Sequence, residues 1–148
     1  MPARDIYHFA VKNALLADGW TITHDPLALK IGTRDLYIDL GAERVLAAEK
    51  SAVKIAVEVK SFLGPSLINE LERALGQFIL YADVLSEREP ERILYLAVPR
   101  SFVDLVLEEP VGELLLRKGR LRVVLFDLQH EEIVQWIPQS PIEPLLNE

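Results

Sequence analysis

The sequence predicts an α+β/α protein in which a central mixed sheet is flanked by helices and a small extension follows at the C-terminus. The pattern of apolar residues changes along the chain in the order helix, series of strands, helix, strand, and two more strands follow near the C-terminus. The chain has 148 residues, of which 50% are hydrophobic, and this suits a single domain (1–148) with a substantial core. It contains no cysteine, which excludes a disulfide framework and a thiolate zinc site.

The first part of the chain is predicted to form a helix and then a run of strands. Apolar residues recur at helical spacing over residues 5–18, and Gly19 follows at a position where glycine commonly ends a helix. Short apolar runs bounded by turn residues then predict strands over residues 20–23, 27–31, 36–40, 44–49 and 53–60. The last two strands are predicted to form a hairpin that turns near Lys50.

The second part of the chain begins with a long predicted helix. Ser66 suits the N-cap position, and an apolar stripe at helical spacing, which includes Ile79 and is expected to be buried, continues to about Leu85. Residues 92–98 form a continuous apolar run that is typical of a buried strand, and Pro99 ends it. Short helices are predicted at 101–108 and 111–118, strands at 121–126 and 131–136, and an irregular tail at 136–148.

Charged residues interrupt one of the most apolar predicted strands. Glu58 and Lys60 lie at the end of the run 53–60, and residues two apart on a strand share one face of the sheet. Burying two charged side chains costs several kcal/mol unless they are paired or hold a metal ion. Asp39 precedes Glu58 by 19 residues. The resulting pattern, D-x18-E-x-K, resembles the signature of the PD-(D/E)xK nucleases.

These residue types suit metal-dependent hydrolysis of phosphodiesters. Magnesium prefers hard oxygen ligands, commonly one or two carboxylates together with water. Asp39 and Glu58 could supply the carboxylates, and the carbonyl oxygen of Val59 a third ligand. Lys60 would stabilise the charge of a phosphate or orient the attacking water. We therefore expect Mg²⁺ or Mn²⁺ as the cofactor and DNA as a partner.

The pattern leaves alternatives open. Glu58 and Lys60 could form an ordinary ion pair on an exposed strand face, because E-x-K by itself is common. The first carboxylate is less firmly fixed than the second, since Asp35 and Glu43 bracket Asp39 and either could replace it.

Two polar residues of the long predicted helix lie on the same face of that helix. Gln77 and Tyr81 are i, i+4 neighbours, and we expect them to line a cleft beside Lys60. The alternative is a polar border of the buried face in which Tyr81 is half-packed. A Q-x3-Y pattern at this position resembles that of RecB-type nucleases.

The first helix carries a similar polar face. Asp5, His8 and Lys12 lie at helical spacing on it. Asp5 could supply a further carboxylate ligand, and His8 and Lys12 could contact a phosphate. A solvated helix face is the simpler interpretation of the same pattern.

The charge of the chain argues against a simple nucleic-acid binder. The net charge is −7, whereas such binders are usually basic. Residues 1–60 carry eight Lys/Arg and eight Asp/Glu, and residues 61–148 carry eight and 15. The half that contains the Asp/Glu/Lys pattern is therefore neutral, and the acidic excess lies in the other half.

Five segments of the chain carry a further resemblance. They are DGWTITHDPL (18–27), YIDLGAERVLAAEK (37–50), KIAVEVKSFLGPS (54–66), ALGQFILY (74–81) and ERILYLAVP (91–99). Together they resemble the XisH family, whose members are named as controlling factors for excision of the fdxN DNA element in cyanobacteria. The resemblance implies a restriction-endonuclease-like core of αβββαβ order within the PD-(D/E)xK superfamily. Asp39, Glu58 and Lys60 match the signature positions, and Gln77 matches the helix glutamine.

The resemblance also implies a role in regulating site-specific recombination, together with a companion factor called XisI. One hypothesis is a magnesium-dependent endodeoxyribonuclease. The alternative is a non-catalytic regulator that keeps the nuclease fold and acts through contacts with a XisI-like partner. The acidic second half and an apolar tail favour the alternative and also a homodimer. The tail residues are Ile133, Trp136, Ile137, Ile142, Leu145 and Leu146.

The N-terminal residues and the apolar runs predict the location of the protein. Residues 1–5 lead directly into a charged amphipathic segment without a signal sequence. The apolar runs are much shorter than the roughly 20 residues that span a bilayer. We therefore expect a cytoplasmic protein with no membrane partner.

Overall fold

The protein is described by a computed structural model over residues 3–46 and 51–142. In chain order the elements are α1 (Ala3–Ala17), β1 (Thr21–His24), β2 (Leu27–Ile31), β3 (Arg34–Ile38), β4 (Leu40–Leu46), β5 (Ser51–Val59), α2 (Leu67–Arg88), β6 (Arg92–Pro99), a π-helical turn (Val103–Leu107), α3 (Pro110–Arg117), β7 (Val123–Asp127) and β8 (Glu132–Ile137). Within these residues no helix has the length and apolar character that crossing a bilayer requires.

Six strands form one mixed sheet in the order β1-β4-β5-β6-β7-β8, while β2 and β3 form a separate hairpin. The central pairs β5–β6 and β6–β7 are parallel, and the outer pairs are antiparallel. The predicted central mixed sheet flanked by helices is confirmed. The last two strands were expected in a small C-terminal extension, but β7 and β8 complete the main sheet, because β7 pairs directly with the buried strand β6.

Side chains of the central strands point alternately to the two faces of the sheet, so the core has a part on each face. Ile55 and Val57 of β5 pack in one cluster with Leu15 of α1. Ala56 points to the other face and packs with Leu85 of α2. The sheet is therefore covered by α1 on one face and by α2 with the β2–β3 hairpin on the other. This is the alternation that the sequence predicts for residues 55–59.

The long helix α2 begins where the sequence predicts. The side chain of Ser66 accepts a hydrogen bond of 3.3 Å from the backbone N–H of Asn69, as an N-cap residue does. The predicted buried stripe is wrong at Ile79, which is 57% exposed, whereas Val84 is buried. The helix also continues to Arg88, three residues beyond the predicted end.

Gly41 was expected to end a strand, but it lies inside β4, which begins at Leu40. Its role is close packing. A Cβ atom at Gly41 would lie 3.0 Å from Nδ1 of His24 and 3.2 Å from a guanidinium nitrogen of Arg92. The absent side chain thus makes room for the buried Arg92, whose guanidinium donates a 2.8 Å hydrogen bond to the carbonyl of Ile55.

The predicted hairpin of the fourth and fifth strands is confirmed by the antiparallel pairing of β4 and β5. The expected turn at Lys50 lies outside the described residues. The expected helix at 101–108 is a π-helical turn instead.

The C-terminal segment is packed against the core in its described part. Ile142 is buried in the cluster that contains Leu15 of α1, and Trp136 packs against that cluster. The hydroxyl of Tyr95 donates a 3.2 Å hydrogen bond to the carbonyl of Gln139. The expectation that this segment exposes an apolar patch is therefore wrong for Trp136 and Ile142. Residues 143–148, with Leu145 and Leu146, lie outside the described part.

Candidate active site

Asp39 lies where the chain passes from the β2–β3 hairpin into the main sheet. Its neighbours Ile38 and Leu40 end β3 and begin β4, and both are fully buried. Leu40 pairs with Val57 of β5 in an antiparallel register. That register brings the residue before Leu40 next to the residue after Val57, which is Glu58. The hairpin between β4 and β5 therefore positions the two carboxylates.

Backbone hydrogen bonds fix this carboxylate pair. The N–H of Asp39 donates to Oε1 of Glu58 at 3.1 Å, and the N–H of Val59 donates to Oδ2 of Asp39 at 2.8 Å. Each acid thus has one oxygen held by the strand that carries the other. Glu58 is only 7% exposed.

Lys60 completes the predicted group of three. Its backbone N–H donates to the carbonyl of Ala97 at 2.9 Å, which extends the alignment of β5 with β6 by one residue. Its Nζ atom lies 3.7 Å from Oε2 of Glu58. The ion pair considered as an alternative is therefore present, but it lies in the wall of a cleft and not on an exposed strand face.

The carboxylate pair changes the acidity of its members and of a nearby tyrosine. Burial raises the pKa of Glu58 to about 7, and the carboxylate of Asp39 adds to this effect, while Lys60 acts in the opposite direction. Burial also raises the pKa of Tyr81, with smaller contributions from Glu58 and Asp39. Near neutral pH, Glu58 is therefore poised between its protonated and charged forms.

A cleft of about 780 Å³ opens in front of this group, between the β2–β3 hairpin and α2. Among the residues that line it are Tyr37, Asp39, Glu58, Lys60, Gln77 and Tyr81. The structure thus places Gln77 and Tyr81 beside Lys60, as the helical spacing predicts. The side-chain oxygen of Gln77 is buried and accepts no hydrogen bond within the described residues. It is a polar group that a bound molecule could satisfy.

Glu70 also lines the cleft, and it lies on the same helical stripe of the sequence as Gln77 and Tyr81. Its Oε2 atom accepts a 3.1 Å hydrogen bond from the N–H of Gly64 in the loop after β5. A Cβ atom at Gly64 would lie 2.9 Å from the carboxyl carbon of Glu70. The glycine therefore lets the loop approach α2. No sequence signal marks this contact, because it depends on how the loop folds back.

The polar face of α1 reaches the other side of Asp39. Asp5, His8 and Asp39 line a cavity of about 300 Å³ together with Asp25. Nε2 of His8 lies 2.7 Å from Oδ1 of Asp25, and Nζ of Lys12 donates to Oδ2 at 2.9 Å. Burial opposes the shift, but the hydrogen bonds from Lys12 and His8 lower the pKa of Asp25. Asp25 was not predicted as a site residue. His8 and Lys12 were expected to contact a phosphate or solvent, and in the structure both contact Asp25.

The alternative first carboxylates lie elsewhere. Glu43 is four residues along β4 from Asp39, at most about 14 Å away, and its carboxylate lies 3.9 Å from Nζ of Lys54. Asp35 lies on the exposed face of the hairpin, 4.0 Å from Nζ of Lys30. Neither lines the cleft. Of the predicted site residues, the structure therefore brings all but Glu43 and Asp35 to the two sides of Asp39.

No set of three or more His, Cys, Asp and Glu side chains in residues 3–46 and 51–142 forms a group able to hold a metal ion. The described part of the chain therefore offers a pair of carboxylates, Asp39 and Glu58, and not a closed cage of protein ligands.

Comparison with known proteins identifies the family. The family model "XisH protein" matches residues 1–134. The solved structure of an XisH family protein from Nostoc punctiforme PCC 73102 is 42% identical, with a TM-score of 0.80, and the match covers 90% of this chain and 99% of that one. An fdxN element excision controlling factor protein from Anabaena variabilis gives 41% identity, a TM-score of 0.80 and the same coverage. No curated protein matches the chain. This chain belongs to the XisH family.

Proposed function

We propose that this chain hydrolyses phosphodiester bonds of DNA with Mg²⁺ or Mn²⁺, at a PD-(D/E)xK-type site on a restriction-endonuclease-like core. The proposal places this reaction in the excision of a DNA element, the process for which the relative from Anabaena variabilis is named. The observation that carries it is the contact of Asp39 with the buried Glu58, beside Lys60, in the wall of an open cleft.

The chemistry of the carboxylate pair fits a divalent cation. Two carboxylates in contact repel each other, and here burial and this repulsion raise the pKa of Glu58 to about 7. A proton relieves the repulsion at low pH, and a cation would relieve it at higher pH. Magnesium commonly takes one or two carboxylates and completes its shell with waters and substrate phosphate. Two acids at an open cleft are therefore typical of a Mg²⁺ site that shares the ion with water and substrate, and not of a structural site closed by protein ligands.

Each residue of the group has a role that follows from its position. Asp39 and Glu58 would hold the ion, and the hydrogen bonds from Val59 and Asp39 backbone N–H groups keep the carboxylates in place. When bound, the ion supplies a Lewis acid for the phosphoryl group and lowers the pKa of the attacking water. Lys60, a compact cation 3.7 Å from Glu58, stabilises the negative charge that grows on the phosphate.

The helix wall of the cleft supplies hydrogen-bonding groups. Gln77 presents a side-chain oxygen that lacks a partner in the described residues, and it could accept a hydrogen bond from the attacking water or from the substrate. Tyr81 has a raised pKa and therefore keeps its hydroxyl proton at neutral pH, so it acts as a hydrogen-bond donor. We assign both residues to positioning.

Comparison of Lys60→Ala with Lys54→Ala tests the function. Lys54 and Lys60 lie on or directly after the same strand and are similarly exposed, but Lys54 pairs with Glu43 and Glu91 away from the cleft. Supercoiled, linear and branched DNA are incubated with each protein in Mg²⁺ and in Mn²⁺. We expect Lys60→Ala to lower the cleavage rate about 10²- to 10³-fold, as loss of one group that stabilises transition-state charge does. Lys54→Ala should cut like the wild type.

Two results would contradict the proposal. Cleavage that survives in Lys60→Ala at the wild-type rate would come from elsewhere than this site. No cleavage of any of the three DNA forms by folded wild-type protein would favour a regulator without nuclease activity.

One observation favours that second function. Ile6, Phe9 and Leu16 form an apolar stripe on the outer face of α1, each 45–48% exposed. Such stripes often mark protein interfaces. A XisI-like partner or a second copy of the chain could cover it, in place of the C-terminal segment first considered. Phe9→Glu should then abolish a complex that size-exclusion chromatography with light scattering detects.

A further inference from the structure

An aromatic side chain is uncovered in the wall of the cleft. Tyr37 is 56% exposed and lines the same cleft as Asp39 and Glu58. It is two residues from Asp39, so the Cα atoms of the two residues are at most about 7 Å apart. The aromatic ring therefore lies close enough to the carboxylate pair to contact a base next to a phosphate that is bound there.

The hairpin holds Tyr37 in place and leaves its ring free. The backbone of Tyr37 pairs with Ala28 across the hairpin, and an alanine side chain is too small to cover an aromatic ring. The adjacent residue Ile38 points the other way and is fully buried with Leu27 and Leu29 against α2. The exposure of Tyr37 is thus built into a well-anchored strand.

The charges of the cleft limit what kind of nucleic acid it can bind. The charged residues that line it are three acids, Asp39, Glu58 and Glu70, and one base, Lys60. The net charge of the chain is −7. Proteins that bind duplex DNA gain most of their affinity by neutralising phosphates with Lys and Arg. This cleft supplies few such contacts, so another interaction must contribute.

Stacking of a base on an aromatic ring is such an interaction, because it needs no positive charge and tolerates any sequence. It requires an unpaired base, since the bases of a duplex are already stacked on one another. Building on the proposed hydrolysis of DNA, we infer that the cleft takes unpaired DNA, with a base next to the reacting phosphate stacked on Tyr37. Single strands, flaps and the open arms of branched DNA are then the substrate class, and fully paired DNA is not.

Binding of labelled DNA tests this inference without cleavage as the readout. Fluorescence anisotropy compares a single-stranded oligonucleotide with the blunt duplex of the same sequence, with Ca²⁺ as the carboxylate-binding ion. We expect the single strand to bind at least about tenfold more tightly, with a shallow dependence on salt. Tyr37→Ala should weaken single-strand binding about tenfold, as loss of one stacked base does. Tyr37→Phe, which keeps the ring, should bind within about twofold of the wild type.

Ile79→Ala is the matched control. Ile79 is as exposed as Tyr37 but lies on the outer face of α2 and lines none of the cavities around the site, so its variant should bind like the wild type. The inference is overturned if Tyr37→Ala binds the single strand normally, or if the duplex binds as tightly as the single strand. Lys60-dependent cleavage would still support the proposed function in that case. If the wild type neither binds nor cuts DNA of any form, the proposed function fails as well.

Discussion

Glu58 makes the stability of the protein depend on pH. Burial and the carboxylate of Asp39 raise its pKa from 4.5 to about 7, so the folded state holds a proton that the unfolded state has lost. Between these two pKa values the folded state binds more protons, and stability therefore falls as pH rises from about 4.5 to about 7. The loss becomes complete and constant about one pH unit above the folded-state pKa. The shift corresponds to about 3 kcal/mol.

Glu58→Gln should remove this loss, because glutamine resembles the neutral acid. Without divalent ions we expect the variant to be more stable than the wild type at pH 8, by up to about 3 kcal/mol, and close to it at pH 4.5. Urea denaturation at the two pH values measures the difference. Glu43→Gln, an acid on β4 paired with Lys54, is the control and should show no such pH-dependent gain. An equal gain from Glu58→Gln at both pH values would show that the pKa of Glu58 is not raised.

Metal binding at the same residues should release a proton. A divalent ion on Asp39 and Glu58 needs both carboxylates charged, and below pH 7 Glu58 is protonated. We expect binding of Mg²⁺ or Mn²⁺ to release up to one proton at pH 6 and almost none at pH 8.5. Calorimetry in buffers of different ionisation enthalpy counts these protons. Asp39→Asn should abolish binding, and binding that survives in this variant would place the ion elsewhere.

The same residues show how far sequence spacing determines a site. Asp39 and Glu58 could be paired from the sequence because one hairpin joins their strands, and its register sets them side by side. The contact of Asp25 with His8 and the contact of Glu70 with Gly64 could not be predicted in this way. They depend on the packing of α1 and on the fold of the loop after β5. Local periodicity carries no information about such contacts.

At the scale of elements, two glycines in helices should respond in opposite ways to a methyl group. A Cβ atom at Gly112 of α3 would clash with the backbone carbonyl oxygen of Val106, which cannot move without disturbing the π-helical turn. We expect Gly112→Ala to cost about 3 kcal/mol or more. A Cβ atom at Gly76 of α2 meets nothing within 4 Å, so Gly76→Ala should stabilise the protein by about 0.5–1 kcal/mol.

Urea denaturation of the two glycine variants measures both effects on one scale. Both substitutions improve helix propensity, but only Gly112→Ala disturbs the packing. Comparing the two variants therefore separates the two effects on stability. If Gly112→Ala were neutral, α3 would have to pack farther from the π-helical turn than the structure shows.

The elements also show where sequence patterns mislead. Most helices and strands were predicted, because periodicity and continuous apolar runs report which residues are buried. Gly41 was expected to end a strand, whereas it lies inside β4 to accommodate His24 and Arg92. The amphipathic run near Val103 predicted an ordinary helix, but the chain forms a π-helical turn there. At Gly41, contacts with distant parts of the chain override the local pattern.

At the scale of the whole molecule, the described part of the C-terminal segment packs against the core. The sequence indicated an apolar tail, but it could not indicate that Trp136 and Ile142 would pack in the cluster that contains Leu15 of α1. The ring of Trp136 packs on Trp20 and on Tyr95, with ring centroids 5.8 and 4.9 Å apart. Ile142 then enters the same cluster as Leu15. The tail thus covers residues of the first helix and of the central strands.

Ile142→Ala should therefore destabilise the single chain. Ile142 is 9% exposed, and removing three carbon atoms from such a site costs about 2 kcal/mol or more. Val134→Ala on β8 is the control, because Val134 is 43% exposed and its loss should cost less than about 0.5 kcal/mol. Urea denaturation at two protein concentrations shows whether the segment stabilises the single chain or joins two chains. A loss that is the same at both concentrations means that Ile142 stabilises the monomer. A loss that appears only as the protein is diluted would instead mean that the segment joins two chains.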